Sequence, residues 1–196
     1  MNIETRSELK EILKEEKYTY LYSRGKYQAI LMIIKNSPKY RIWKYVRRMR
    51  MTSYYYSKRQ VNFFYSIRYI VSCRLFNNIG AKVGIESGEN VFGKKLHIFH
   101  SNGIVINGNA KVGNGCRLYG DNCIGNNGVT NGCPTIGNNV RLCVGAKVLG
   151  DVTLADNIVV AAGAVVTKSC LESNVILAGI PAKVIKKDKL HDRYLD

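Results

Sequence analysis

The stretch Ile136-Gly137-Asn138-Asn139-Val140-Arg141-Leu142-Cys143-Val144-Gly145-Ala146-Lys147-Val148-Leu149-Gly150-Asp151-Val152-Thr153-Leu154 decides the fold of this chain. Ile136, Leu142, Val148 and Leu154 recur at every sixth position. The row extends upstream through Ile106, Val112, Leu118 and Ile124 and downstream through Val160 and Val166. Thr130 alone breaks it. A helix repeats near 3.6 residues and a flat strand near two, so a strict six fits neither. A chain that turns a corner after each short strand and returns to the same inward slot does repeat at six. So short a period, held over so many units, marks a solenoid. The slot four residues on is mostly small or β-branched: Ala110, Cys116, Gly128, Val140, Ala146, Val152, Ile158, Ala164 and Cys170. Glycine and asparagine between the rows, as in Gly113-Asn114-Gly115 and Gly137-Asn138-Asn139, supply residues that accept φ > 0 at tight corners.

The chain has 196 residues and a formal charge of +16. That allows one sizeable domain and an appendage. No apolar run is long enough to span a membrane, and Met1 to Arg6 lacks the order of a signal peptide, so a cytoplasmic protein is expected. The six cysteines show no paired metal-ligand spacing, and Cys116 and Cys170 read as small apolar fillers.

Upstream of the repeats, a charged helix is expected from Ser7 to Lys17, with Ser7 at its start. A second is expected over Tyr18 to Lys35, with Tyr27, Ile30, Leu31 and Ile34 on one face and Pro38 as its stop. From Lys17 to Gly80 there is no acidic residue, while 14 Lys and Arg and 11 of the 13 tyrosines fall there. Arg41, Lys44, Arg47, Arg48, Arg50, Lys58, Arg59, Arg68 and Arg74 interleave with aromatics. Three readings stay open: a helical cap with a solvated basic face, a peripheral contact of residues 39–74 with anionic membrane or glycan, and nucleic acid. No nucleic-acid motif is present, and none is expected as a partner. The expected organisation is a basic helical region over 1–78, a solenoid over 79–187 and a charged tail over 188–196.

The rows together with Gly145-Ala146-Lys147-Val148-Leu149-Gly150, Ala164-Val165-Val166-Thr167-Lys168 and Gly179-Ile180-Pro181-Ala182-Lys183 resemble the left-handed β-helix, or hexapeptide-repeat, acyltransferases. The resemblance implies a mainly β fold: a left-handed parallel β-helix behind an α-helical N-terminal region, assembled as a homotrimer that uses acetyl-CoA and no metal. Within that family His100-Ser101-Asn102-Gly103-Ile104-Val105-Ile106 resembles the catalytic histidine segment of serine acetyltransferases. Phe92-Gly93 through His100, behind the Tyr- and Arg-rich stretch, resembles capsule and lipopolysaccharide O-acetyltransferases.

Three positions depart from serine acetyltransferases. Phe99 stands where an aspartate precedes the catalytic histidine in that family, the position of its upstream orienting aspartate falls near Gly84 here, and Cys133 replaces the histidine of the amino-acid site. The expectation is therefore O-acetylation of a sugar hydroxyl in a surface polysaccharide or its precursor. The alternatives are a serine acetyltransferase with an altered acceptor site and a non-catalytic solenoid that binds membrane or glycan.

Transfer of an acetyl group to a hydroxyl needs a base, and imidazole titrates near neutrality. His100 is the candidate base. Counting back six from Ile106 places it nominally on the inward row, and Gly103 is expected to break the register. His97 is a second catalytic candidate, to orient His100, bind the acceptor or fill the corner. Glu86 and Glu89 are the only carboxylates nearby in sequence that could replace the missing aspartate. By family position Val144, Gly145, Ala162 and Gly163 line the pantetheine, and Thr167, Lys168, Lys183 and Lys186 meet the nucleotide end of CoA, where phosphates want cations. A zinc site fails on spacing, because His97 and His100 lie three apart and the remaining histidine, His191, is in the tail.

Overall fold

The computed structural model describes residues 2–23 and 25–187. The expected tail over 188–196, with His191, lies outside the described residues. The chain forms two compact units, Met1–Asn90 and Val91–Asp196.

The first unit is helical. Helix α1 (Arg6–Lys17) opens on Thr5, whose hydroxyl accepts from the Glu8 amide at 3.1 Å while the Glu8 carboxylate accepts from the Glu4 amide at 3.2 Å. This reciprocal cap, and not Ser7, sets the start, because a hydroxyl three residues before a glutamate satisfies two end amides at once. The expected second helix is two pieces. A π-helical turn, Tyr18–Tyr22, is followed by Gly25 at φ 91° and then α2 (Lys26–Ile34). Only Ala29 of α2 is buried, so the stripe of Tyr27, Ile30 and Ile34 faces outward. Pro38 stops nothing. It stands in the first turn of α3 (Pro38–Lys58), behind Ser37 as the cap, where its missing N–H costs no bond. Helix α4 (Phe63–Val83) runs from an Asn62 cap to Gly84 at φ 65°.

Ile42, Trp43, Tyr45, Val46 and Met49 of α3 form much of the core of this unit. Arg50, grouped by the sequence with the solvated cations, lies in that core at 0 % exposure and binds Glu16 of α1 at 2.7 Å and 3.1 Å. A charge so fully desolvated needs a two-point partner to persist. Burial also pushes the Tyr45 hydroxyl well above its ordinary range, against the bond it makes with Ser87 at 2.7 Å. Strand β1 (Ile85–Glu86) follows α4.

The second unit is a parallel β-helix. Its strands are β2 (His97–Ile98), β3 (Ile104–Ile106), β4 (Lys111–Val112), β5 (Arg117–Leu118), β6 (Cys123–Gly125), β7 (Thr135–Ile136) and β8 (Arg141–Leu142). They continue as β9 (Lys147–Leu149), β10 (Thr153–Leu154), β11 (Val159–Val160), β12 (Val165–Val166), β13 (Val175–Gly179) and β14 (Ala182–Lys187). Within this unit they stack into three faces, β2-β5-β8-β11-β13-β14, β3-β6-β9-β12 and β4-β7-β10. All pairs are parallel except β13 with β14, where the chain folds back around Pro181 and ends the coiling.

The six-residue rows become three buried columns: Ile98-Leu118-Leu142-Val160-Leu177, Ile106-Ile124-Val148-Val166 and Val112-Ile136-Leu154. Cys116 fills its slot, and burial pushes its thiol up to about 12. Cys170 is half-buried and pairs beside Leu154 at the last coil, so it is not core.

The row breaks at Thr130 because six residues are added between Ile124 and Ile136, twice the usual step, which puts Val129 outside at 87 % exposure and leaves Gly128 exposed. The corner glycines serve two purposes. Gly115 takes φ 70°, whereas Gly113 is required by crowding, since a Cβ there would lie 2.7 Å from the Gly137 carbonyl carbon. Side chains of Asn114, Asn138 and Asp156 accept backbone amides from the coil beside them and satisfy donors the strands leave free.

Candidate active site

The corner between β2 and β3 is longer than its neighbour. From Ile98 to Ile106 is eight residues, whereas the equivalent step from Leu118 to Ile124 is six, although each pair is held in register. The two added residues are absorbed where Asn102 and Gly103 take φ 85° and 67° in succession. The inward count is thereby shifted. Ile98, Ile104 and Ile106 are buried and His100 is exposed.

His100 lines an open cleft of about 590 Å³ with Ser101, Asn102, Tyr119, Gly120, Asp121, Cys143 and Val144. These residues come from the same corner of three successive coils, which Asp121 N–H to Asn102 C=O (3.2 Å) and Gly145 N–H to Gly120 C=O (3.0 Å) tie together. Asp121 sits against Gly103, where a Cβ would meet its Oδ1 at 2.8 Å and the φ of 67° favours glycine. Asp121 is the carboxylate of the cleft among the described residues. The sequence reading missed it because it lies one coil away. The carboxylates it named are elsewhere engaged or in the other unit: Glu89 accepts from the Tyr69 hydroxyl at 2.9 Å, and Glu86 belongs to β1.

Beneath the corner lies Asn122, fully buried. Its Oδ1 accepts from Gly120 N–H at 3.0 Å and its Nδ2 donates to Cys143 C=O at 2.8 Å and Ala146 C=O at 3.3 Å. The signal for it was available: the inward small row 110, 116, 122, 128 is interrupted by a polar residue. Asn122→Ala is expected to cost about 1–3 kcal/mol, since it leaves buried groups without partners. It should also slow any chemistry at His100 by loosening the Gly120–Asp121 corner. Urea unfolding beside a turnover assay checks both.

His97 does not line the cleft. Its half-buried ring stacks on Phe99 at 4.1 Å, and Phe99 stacks on Tyr119 at 4.3 Å. Cys143 lines the cleft, but burial pushes its thiol up more than the nearby Arg141 charge lowers it, so it stays protonated and is a poor nucleophile. Cys133, near the end of the added loop, donates to Asn131 C=O at 3.7 Å and is not among the lining residues.

Val144, Gly145, Ala162 and Gly163 continue the same edge. Gly163 N–H donates to Val144 C=O at 2.9 Å, and Gly145 and Gly163 take φ 72° and 68°. A Cβ at Gly163 would meet nothing within 4 Å, and Val144 and Ala162 are exposed. A long, thin ligand with amides of its own fits this ledge. Thr167 and Lys168 follow β12, and Lys183 and Lys186 lie on β14 opposite Ala178 and Ile176; all four are exposed and none lines the cleft.

No protein-family model matches the chain. A curated relative, the serine acetyltransferase of Synechococcus elongatus, is 34% identical over 125 residues, 63% of this chain and 49% of the relative. This chain thus spans about half the length of the curated relatives it matches. Among solved structures, serine acetyltransferase from Brucella abortus in complex with coenzyme A superposes with a TM-score of 0.70 at 20% identity, covering 93% of this chain and 69% of that one. The Neisseria gonorrhoeae enzyme gives 0.69 at 20% identity over 98% of this chain and 73% of that one. The likeness establishes the fold, the left-handed parallel β-helix behind a helical region.

Proposed function

We propose that the chain is an acetyl-CoA-dependent O-acetyltransferase, working as a homotrimer. The observation that carries this reading is His100, presented outward in a cleft whose edge continues along the open ledge of Val144, Gly145, Ala162 and Gly163. His100 takes the proton of an acceptor hydroxyl as its oxygen attacks the thioester carbonyl. The tetrahedral intermediate expels CoA thiolate, which recovers the proton, leaving an acetyl ester and free CoA. Asp121 stabilises the imidazolium that forms between these steps. The ledge holds pantetheine, and Thr167, Lys168, Lys183 and Lys186 receive the nucleotide phosphates. His97 supports the corner through its stack with Phe99.

Two acceptors are distinguished. Serine is the reading the relatives support, since the curated matches carry that name. A sugar hydroxyl, as in a surface polysaccharide or its precursor, is favoured by the aromatic pair Phe99–Tyr119 beside the cleft and by cysteine at position 133. Mass spectrometry of acetyl transfer from isotope-labelled acetyl-CoA to L-serine, sugars and lipid-linked glycans tests the reading. Label in an acceptor hydroxyl is expected; acetyl-CoA left intact across the whole panel would overturn it.

The helical unit suits an anionic surface. Phe63, Phe64, Ile67, Ile70 and Val71 of α4 are exposed beside Arg68 and Arg74, and no helix among the described residues is long and apolar enough to cross a membrane. Flotation with anionic vesicles should recover the unmodified protein, and Arg47→Glu with Arg68→Glu and Arg74→Glu should abolish this, most clearly at low salt. Arg50 is excluded from that set because its loss is a folding lesion. Equal recovery with neutral vesicles would rule out the electrostatic contact.

A further inference from the structure

Outward from the cleft, one face of the solenoid carries a ladder of two arginines above a histidine. Strand pairing sets His97 opposite Arg117 and Arg117 opposite Arg141, so β2, β5 and β8 present them one above another. Both arginines are half-buried. Burial first, and then the facing Arg141 charge, press the Arg117 guanidinium below its ordinary range. Like charges placed opposite each other across a pair of strands cost free energy. Two residues on, just past the end of β5, stands Tyr119, which both lines the His100 cleft and stacks on Phe99. At about 3.3 Å per residue, Arg117 is roughly 6.6 Å from Tyr119 along the chain. Cleft, aromatic pair and arginine ladder therefore form one continuous surface.

We propose that Arg117 and Arg141 form an anion subsite for the acceptor, holding a carboxylate or phosphate of the molecule whose hydroxyl is acetylated at His100. Guanidinium groups match these anions with forked, two-point hydrogen bonds. Tyr119 and Phe99 lie under the atoms between the two ends. This inference rests on acetyl transfer at His100. It names the acceptor's chemistry, an anionic group on a hydroxyl-bearing molecule, which an acidic sugar or a free amino acid supplies.

The test uses matched acceptors, glucuronate against glucose and L-serine against L-serinamide, with acetyl-CoA. The proteins are the unmodified chain, Arg117→Gln, Arg141→Gln and Arg117→Lys. For the acceptor pair the enzyme uses, kcat/KM for the charged member should fall about 10- to 100-fold in the glutamine variants, chiefly through KM. Turnover of the neutral member and acetyl-CoA affinity should hold, and Arg117→Lys should retain part of the discrimination. The pair that shows the loss identifies the source of the anion. Equal use of charged and neutral members by the unmodified protein, or equal losses for both in the variants, overturns the subsite and leaves acetyl transfer standing. A glutamine variant with altered oligomeric mass overturns it too, by assigning the ladder to subunit contact. An unmodified protein that transfers acetyl to none of the four overturns the subsite for acceptors of this size, and the proposed activity is decided separately by the wider panel of serine, sugars and lipid-linked glycans.

Discussion

Replacement of His100 by alanine is expected to lower the single-turnover rate constant for acetyl transfer by about 100- to 10,000-fold, the usual worth of a positioned general base. The expectation rests on three features of the corner. His100 is exposed in the cleft, so truncating it opens no cavity in the packed columns. The corner is held by backbone bonds from Asp121 and by Asn122 below, neither of which involves the imidazole. The ledge that would carry CoA is built from main chain and small side chains on later coils. Acetyl-CoA affinity, read by calorimetry, should therefore stay within a few-fold, and the thermal midpoint should barely move. A variant with near-normal transfer would remove His100 from the chemistry. One that loses both folding and cofactor binding would make it a structural residue.

The second large effect is on stability. Glu16→Ala should destabilise the helical unit by about 3–5 kcal/mol, because it leaves the Arg50 guanidinium buried without its carboxylate. That is a large part of the stability of an ordinary domain. Replacing both residues together, as Glu16→Met with Arg50→Met, should recover much of the loss, since an apolar pair of similar volume needs no desolvated charge. Chemical denaturation of the single and double variants measures the difference. A single variant within about 1 kcal/mol of the parent would contradict the pairing.

Much of the solenoid was legible because its cause is periodic. Each coil returns to the same slot, so Ile106 through Val166 advertise a buried row without knowledge of any contact, and the strand pairing divides that row into three columns. The departures were not legible in the same way. The two added residues at His100 and the six at Thr130 are visible as a broken count, yet the count does not say whether the chain bulges outward or shifts register. At His100 the consecutive left-handed Asn102 and Gly103 decide it.

In the helical region, local signals competed. Ser7 and Pro38 each fit a helix end, and Thr5 and Ser37 won because their hydroxyls had amides three residues ahead to accept from. Arg50 looked like any other cation in a basic run; its burial depends on Glu16, 34 residues away. At the site, His100 was found through its resemblance to a known segment. Asp121 was missed because it meets that corner only after the chain has completed another coil. His97 shows the limit of proximity in sequence. Three residues from His100, it stacks on Phe99 and not into the cleft.

The most direct test follows a single turnover. Excess protein is mixed with isotope-labelled acetyl-CoA and the best acceptor of the panel, and free CoA thiol and labelled ester are counted in the same quenched samples. Acetyl transfer at His100 predicts one ester formed for each thiol released, at equal rates, with both rates falling together in His100→Ala. Thiol released without ester, or thiol and ester formed as fast in His100→Ala as in the parent, would contradict it.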